Sequence, residues 1–367
     1  MASERVDIYM PKLRGKSVAV VGNATSLVGD THLVDTLIEN NISVAKVFAP
    51  EHGFRGDADA GATIDDDIDT KTGLPILSLY GANKKPSKAA LNGVDTIVFD
   101  IQDVGVRFYT YLSTLHYVME AAAENDIQVI VLDRPNPNGG YIDGPVLEPS
   151  VKSFVGLHPV PLVYGMTIGE YAKMINGEGW LAGGIQANLT VVPIANYARD
   201  TAYVLPIKPS PNLPTMNAVY LYPSLALFEG TVVSIGRGTP FPFEIVGHPQ
   251  YPKQNFSFRP EPSFGARNPK LNGALCFGYD LRNTAATMPT PNATINLEWL
   301  LKFYAAAPNK DTFFLERNFF DKLAGNEDLR DQIKSGLNEA AIRQSWQLDL
   351  DAFKAVRAKY LIYPPSN

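Results

Sequence analysis

The chain has 367 residues, 45% hydrophobic and only 19% charged, with a net charge of −6 at pH 7. That balance excludes an intrinsically disordered chain, and the lack of any basic cluster argues against a nucleic-acid partner. A single cysteine, Cys276, excludes an internal disulfide and a cysteine-based zinc site, and no apolar run approaches the roughly 18 residues of a membrane span.

The length suits two domains, with one large domain as the alternative, and 29 glycines and 28 prolines imply many shaped loops. The start, Met1-Ala2-Ser3-Glu4-Arg5, is not a signal peptide. It fits a cytosolic start or a chain trimmed at a cleavage site. Ser17–Val21 is short, apolar and β-branched and reads as a first strand, and Thr31 as the N-cap of a helix over Leu33–Asn40. Strands follow at Ser43–Phe48 and, after a solvated acidic turn (Asp65-Asp66-Asp67), at Leu74–Leu79. Thr96–Phe99, a helix over Thr110–Glu124 and Val129–Leu132 form a β-α-β unit. A helix over Thr167–Asn176 opens with capping-box spacing from Thr167 to Glu170, and Ala187–Val192 reads as one more strand. Strands separated by helices predict an α/β fold with a mostly parallel, Rossmann-like sheet.

Beyond about Tyr203 the texture changes. The run Pro206-Ile207-Lys208-Pro209-Ser210-Pro211-Asn212-Leu213-Pro214 is too proline-rich for a central strand and reads as a stiff extended loop. Ala218–Glu229 is expected to be helical in part, and Gly230–Thr239 to be a strand entering the Gly-flanked Arg237. Helices are expected at Leu297–Ala307, Glu327–Ser335 and Asp351–Lys359. A boundary at about 195–205 divides a catalytic domain, 1–200, from a smaller α+β domain, 201–367, that contributes to the cleft.

Three strand-like runs end in charged residues: Glu51-His52-Gly53-Phe54-Arg55, Asp100-Ile101-Gln102-Asp103 with Arg107, and Asp133-Arg134-Pro135-Asn136. In a parallel sheet those ends share one rim, where ligands bind. Glu51 turns between Pro50 and Gly53, and burial would suit it to general acid catalysis; a salt bridge to Arg55 is the plainer reading. Asp103 and Arg107 stand four apart and would pair on a helix. Gly105 and the cluster Phe108-Tyr109-Thr110-Tyr111 instead suggest an aromatic wall for a sugar ring. Asp133 and Arg134 can bind a ligand or hold their loop as an ion pair. In the second half, Arg237 between glycines can bind an anion, with Glu229 and Glu244 as further carboxylates or as its ion-pair partners. No Gly-x-Gly-x-x-Gly follows the first strand, and no P-loop, His-Glu-x-x-His or Gly-x-Ser-x-Gly occurs. Five scattered histidines give no metal-site pattern, so neither metal nor cofactor is expected.

The same segments resemble a bacterial family of peptidoglycan exo-β-N-acetylmuramidases, formerly a family of unknown function. The resemblance rests on Pro50-Glu51-His52-Gly53-Phe54-Arg55-Gly56, Asp69-Thr70-Lys71-Thr72-Gly73-Leu74-Pro75, Ser78-Leu79-Tyr80-Gly81 and Phe99-Asp100-Ile101-Gln102-Asp103-Val104-Gly105. It continues through Leu132-Asp133-Arg134-Pro135-Asn136-Pro137, Pro209-Ser210-Pro211-Asn212, Phe228-Glu229-Gly230-Thr231 and Gly236-Arg237-Gly238-Thr239. One departure is Asn138, where an apolar residue is expected. The resemblance implies an exo-acting glycosidase that removes N-acetylmuramic acid from the non-reducing end of peptidoglycan disaccharides and muropeptides, in the periplasm or outside the cell. Read with it, the residues offer Glu51 as general acid and Asp100, Asp103 or Glu229 for the second role, assisting attack or orienting a 2-acetamido group that attacks instead. His52, Arg55, Arg107, Tyr109, Asp133, Arg134, Asn136, Asn212, Arg237 and Glu244 are candidate substrate contacts, the arginines reading the lactyl carboxylate. A non-catalytic sugar- or nucleotide-binding protein on the same scaffold is the alternative. A Mg²⁺-dependent hydrolase using Asp100, Asp103 and Asp133 is a third reading.

Overall fold

A computed structural model of the chain describes residues 1–51, 53–55, 66–199, 201–284, 289 and 291–364. His52 and Asp65, singled out in the sequence, lie outside them. Helix α1 (Val6–Leu13) precedes strand β1 (Ser17–Gly22), a small hairpin of β2 (Leu27–Val28) and β3 (Thr31–His32), and helix α2 (Leu33–Glu39). There follow β4 (Ser43–Ala49), β5 (Asp67–Ile68), β6 (Pro75–Ser78), β7 (Thr96–Asp100), α3 (Tyr111–Ala123) and β8 (Gln128–Leu132). A hairpin of β9 (Asp143–Val146) and β10 (Pro161–Val163), then α4 (Ile168–Gly177) and β11 (Asn188–Val192), complete the first part.

The main sheet runs β11-β8-β7-β1-β4-β6-β5 and is parallel except for β5, which is antiparallel to β6. The expected α/β, mostly parallel architecture is therefore present. Alternate residues of the strands feed opposite cores because side chains alternate across a pleated sheet. Ala19, Val21, Ile97, Phe99, Val129 and Val131 face α3 and α4. Val18, Val20, Val98, Ile130 and Leu132 face α1 and α2 with Tyr9, Leu13, Val34 and Leu37. Strands succeed one another outward from β1 in both directions, so β1 and β7 flank a topological switch point, where such folds bind ligands.

The smaller second part holds α5 (Met216–Leu225), which runs on into a 3₁₀ helix (Ala226–Gly230). A three-stranded antiparallel sheet follows: β12 (Ile245–His248), β13 (Ser257–Phe258) and β14 (Cys276–Asp280), in the order β12-β14-β13. Helices α6 (Glu298–Ala306), α7 (Phe319–Ala324), α8 (Asp328–Lys334) and α9 (Glu339–Ala358) end the chain. Phe228, Phe303, Phe313 and Trp346 join the same buried cluster as Phe99 and Leu115, so one core runs through both parts.

Several expectations need correction. His32, not Thr31, caps α2: its Nδ1 accepts the Val34 amide. Asp66 accepts the Ser78 amide and Asp67 enters β5, so these two residues stay exposed as expected but lie along an edge pairing rather than in a turn. Gly230–Thr239 is no strand; Thr231 and Ser234 each make one isolated bridge while the chain turns. Asp351–Lys359 is the end of the long α9. Pro11 obscures α1 in the sequence, although Tyr9, Met10 and Leu13 bury its apolar side. The capping box at Thr167 and Glu170 is present in both directions.

Candidate active site

One cleft of about 190 Å³ opens beyond the carboxyl ends of β4, β6 and β7, roofed by the second part of the chain. The rim supplies Glu51, Tyr80, Phe108, Tyr109 and Thr110, and the second part adds Asn212, Tyr222, Glu229, Arg237, Phe243 and Phe319.

Glu51 is placed by the turn after β4, which the Gly53 amide closes on the Pro50 carbonyl at 3.1 Å. Its Oε2 accepts the Thr110 hydroxyl at 3.0 Å, and the Tyr111 hydroxyl reaches its carbonyl at 3.4 Å. Burial, with the Glu51 charge beside it, raises the Tyr80 hydroxyl above its ordinary range. Tyr109 donates to the Pro209 carbonyl at 2.7 Å, which ties the proline-rich loop to the rim. Asn212, on that loop, donates to the Gly265 carbonyl at 2.8 Å.

Glu229 leaves the 3₁₀ helix after α5, and its Oε1 receives Arg237 Nε at 2.8 Å and Nη2 at 2.5 Å. The Arg237 guanidinium stands 5.1 Å from the centre of the Phe243 ring. Gly236 and Gly238 bracket Arg237 with φ near +80°. A Cβ at Gly236 would stand 2.6 Å from Ile245, and one at Gly238 2.6 Å from Pro269, so chain packing and positive φ both require glycine at these positions.

Several predicted site residues do not reach this cleft. Asp100 and Arg134 form a buried bidentate pair, at 2.6 and 2.8 Å, at the carboxyl ends of β7 and β8. Asp103 accepts the Gly105 amide and the Tyr164 hydroxyl, and burial pushes its carboxyl up to about 6. It makes no helical pair with Arg107. Arg107 is 1% exposed and donates to the carbonyls of Pro145, Val160, Leu323 and Ala324. Asp133 does not pair with Arg134. It accepts Thr167, Gly169 and Tyr363 at the start of α4, and burial pushes it up to about 6.

Asn136 donates to the Met166 carbonyl and packs on Gly105. Asn138, the departure from the family pattern, donates to the Val104 and Val219 carbonyls. Glu244 accepts Asn217 at 2.8 Å, leaving Glu229 as the partner of Arg237. Arg55 is bidentate to Asp69 and also reaches Asp35, along a neighbouring groove. Among the described residues, no group of three or more His, Cys, Asp or Glu side chains could hold a metal ion. Asp100, Asp103 and Asp133 each face donors instead.

The site-residue reading missed Tyr80, Tyr222, Phe243 and Phe319. Tyr80 is the second residue after β6, the same position that Glu51 holds after β4. The other three come from the second part, where nothing in the local sequence distinguishes a cleft aromatic from a core one.

Residues 18–217 match the family model described as exo-beta-N-acetylmuramidase NamZ, N-terminal, and residues 220–363 match its C-terminal counterpart. This chain belongs to that family. Peptidoglycan beta-N-acetylmuramidase NamZ of Bacillus subtilis (strain 168) is 43% identical to it, across 97% of this chain and 89% of the relative. Two crystal structures of DUF1343 family proteins from Bacteroides fragilis NCTC 9343 share the fold. One has a TM-score of 0.90 at 44% identity, covering 100% of this chain and 99% of the other; the second has 0.82 at 31%, covering 97% and 96%. The cleft thus lies where the family's N- and C-terminal parts meet.

Proposed function

We propose that this protein is an exo-acting glycoside hydrolase that releases terminal N-acetylmuramic acid from the non-reducing end of peptidoglycan fragments. Family membership and the B. subtilis relative support the reaction class. The observation that carries the reading at residue level is the convergence of Glu51 and Glu229 on one aromatic-walled cleft with Arg237 between lobes. Glycosidic cleavage needs one carboxyl to protonate the leaving oxygen and a second group to support attack at the anomeric carbon.

The partners of the two carboxyls support different roles for them. Glu51 faces the Thr110 hydroxyl, which can donate to or accept from it, so it can hold a proton and release it to the leaving oxygen. Glu229 faces a guanidinium, which offers donors only, and this suits the carboxylate that supports the oxocarbenium-like centre or orients the 2-acetamido group. Arg237 is the arginine of the cleft and is the residue we assign to the lactyl carboxylate. Tyr109, Tyr222 and Phe243 supply apolar faces, and Asn212 an amide, for the sugar. The substrates proposed are disaccharides and muropeptides met in the periplasm or outside the cell. Among the described residues no helix is long and apolar enough to cross a membrane.

The test is hydrolysis of para-nitrophenyl N-acetylmuramide beside the N-acetylglucosamine analogue, with and without excess EDTA. The expected result is a preference of roughly ten- to over a hundred-fold for the muramide, the worth of a charge-assisted contact of about 1.5–3 kcal/mol, unaltered by the chelator. Equal turnover of the two glycosides would remove Arg237 from substrate selection, and binding of both without turnover would favour the non-catalytic sugar-binding reading.

A further inference from the structure

Lys270 is a charged residue next to the cleft that neither the family motifs nor the proposed chemistry uses. It follows Pro269, whose ring packs against Gly238, the residue after Arg237. From there its ammonium turns under the 3₁₀ helix that carries Glu229. It donates to the Phe228 carbonyl at 3.0 Å, to the Glu229 carbonyl at 3.4 Å and to the Thr231 carbonyl. The Phe228 carbonyl also accepts the Thr231 amide and hydroxyl, while a buried ammonium has three protons to place. Three carbonyls of this one turn meet that demand. A Cβ on Gly230 would lie 2.5 Å from Phe320 Cα, so the opposite side of the same turn is pressed against α7. The Glu229 backbone is held between these two contacts.

We propose that Lys270 is a positioning residue for Glu229. By gripping the carbonyls on both sides of that residue it fixes the turn that presents the carboxylate to the cleft. By adding a second positive charge behind the carboxylate it lets Arg237 engage a substrate anion without leaving Glu229 uncompensated. This rests on the reading of Glu229 as the second carboxylate of a glycosidase.

Burial pushes the Lys270 ammonium down to about 8, with Glu229 pulling it up and Arg237 pushing it further down. His248, on β12, is the third titratable group facing it, and its imidazole is lowered first by burial and then by the Lys270 charge. A neutral amine would hold the carbonyls more weakly and leave the charge balance altered. Activity should therefore fall on an alkaline limb near pH 8 that belongs to Lys270.

The experiment uses para-nitrophenyl N-acetylmuramide, whose good leaving group separates the Glu229 step from protonation by Glu51. Lys270→Met should lower kcat at least tenfold with KM within about threefold, and should lose the alkaline limb. Lys270→Arg keeps the charge at all pH values and should recover at least a third of the parent kcat, holding it to pH 10. A folded Lys270→Met protein with the parent kcat and the parent limb would overturn the proposal. Should both variants fold poorly, the parent answers by itself through pH-dependent acetylation of Lys270, followed by mass spectrometry. Half-reactivity near pH 8, coincident with the activity limb, supports the assignment, and titration above pH 10 overturns it. A parent inactive on every N-acetylmuramide would instead defeat the proposed function, and this proposal with it. An active parent with unresponsive Lys270 variants defeats this proposal alone.

Discussion

A carboxylate at the end of a buried parallel strand can meet its hydrogen-bonding demand inward, from the protein, or outward, from a ligand. Asp100 is the last residue of β7, fully buried, and turns to Arg134; Asp133 follows β8 and turns to α4 and the C-terminal Tyr363. Glu51 stands two residues beyond β4, in a turn that carries it past the rim and into the cleft. The three lie within two residues of a strand's end, so position near a strand end marks the rim correctly but does not separate an inward carboxylate from an outward one. Burial and partners decide that, and both come from remote segments such as Arg134 and Tyr363.

Two outcomes follow at this scale. Asp100→Asn leaves a buried guanidinium without its counter-charge and should lower stability by about 3–5 kcal/mol in denaturant unfolding. The folded fraction should keep close to the parent kcat; a large loss of kcat at unchanged stability would return Asp100 to the mechanism. Arg237→Met should erase most of the preference for muramide over glucosaminide, a change of roughly ten- to a hundred-fold in the ratio of their kcat/KM values.

At the scale of elements, Arg107 shows how a segment read as a binding loop becomes a joint. Its guanidinium joins the carbonyls of Pro145 and Val160, in and beside the β9–β10 hairpin, to those of Leu323 and Ala324 at the end of α7. Phe319 and Leu323 of α7 wall the cleft, so the joint sets the wall's distance from Tyr109 and Thr110. Gly325 permits it: φ is +97° there, and a Cβ would stand 2.3 Å from Arg107 Nη2. Gly325→Ala should therefore lower stability by about 2–4 kcal/mol, combining backbone strain with loss of the clamp, as read by urea unfolding. A variant as stable as the parent would show that α7 is not held this way. Elements of the first part were legible because strand and helix periods alternate there. In the second part Gly230–Thr239 carries β-branched residues yet turns to place Glu229 and Arg237 side by side, a demand set by the cleft and not by local propensity.

For the molecule as a whole, the continuous core and the Arg107, Asn138 and Arg199 contacts between distant segments predict one cooperative unfolding transition. A shortened chain ending at residue 217 should expose Leu115 and Phe99 neighbours and fail to give a cooperative melt; a sharp melt would show that the first part folds by itself. Acid stability carries a further signature. Arg55 holds the Asp69 carboxyl down to about 2, below its ordinary 3.8. A depressed folded value means that the stabilisation is present above about pH 4 and is lost as pH falls through 2. Asp69→Asn should thus cost about 1–2 kcal/mol at pH 6, allowing for solvent at the exposed edge of Arg55, and its stability should converge with the parent's near pH 2. A difference that persists unchanged at pH 2 would mean that packing, not charge, explains the loss.

The reaction is tested most directly by kcat of Glu51→Gln on a natural disaccharide and on an aryl N-acetylmuramide with a good leaving group. Glutamine keeps the size and the Thr110 contact of the glutamate but has no proton to deliver. The disaccharide rate should fall by about 10²- to 10⁴-fold with KM little changed, and the aryl glycoside rate should fall far less. A folded variant that hydrolyses the disaccharide at close to the parent rate would contradict the assignment of Glu51 as the general acid.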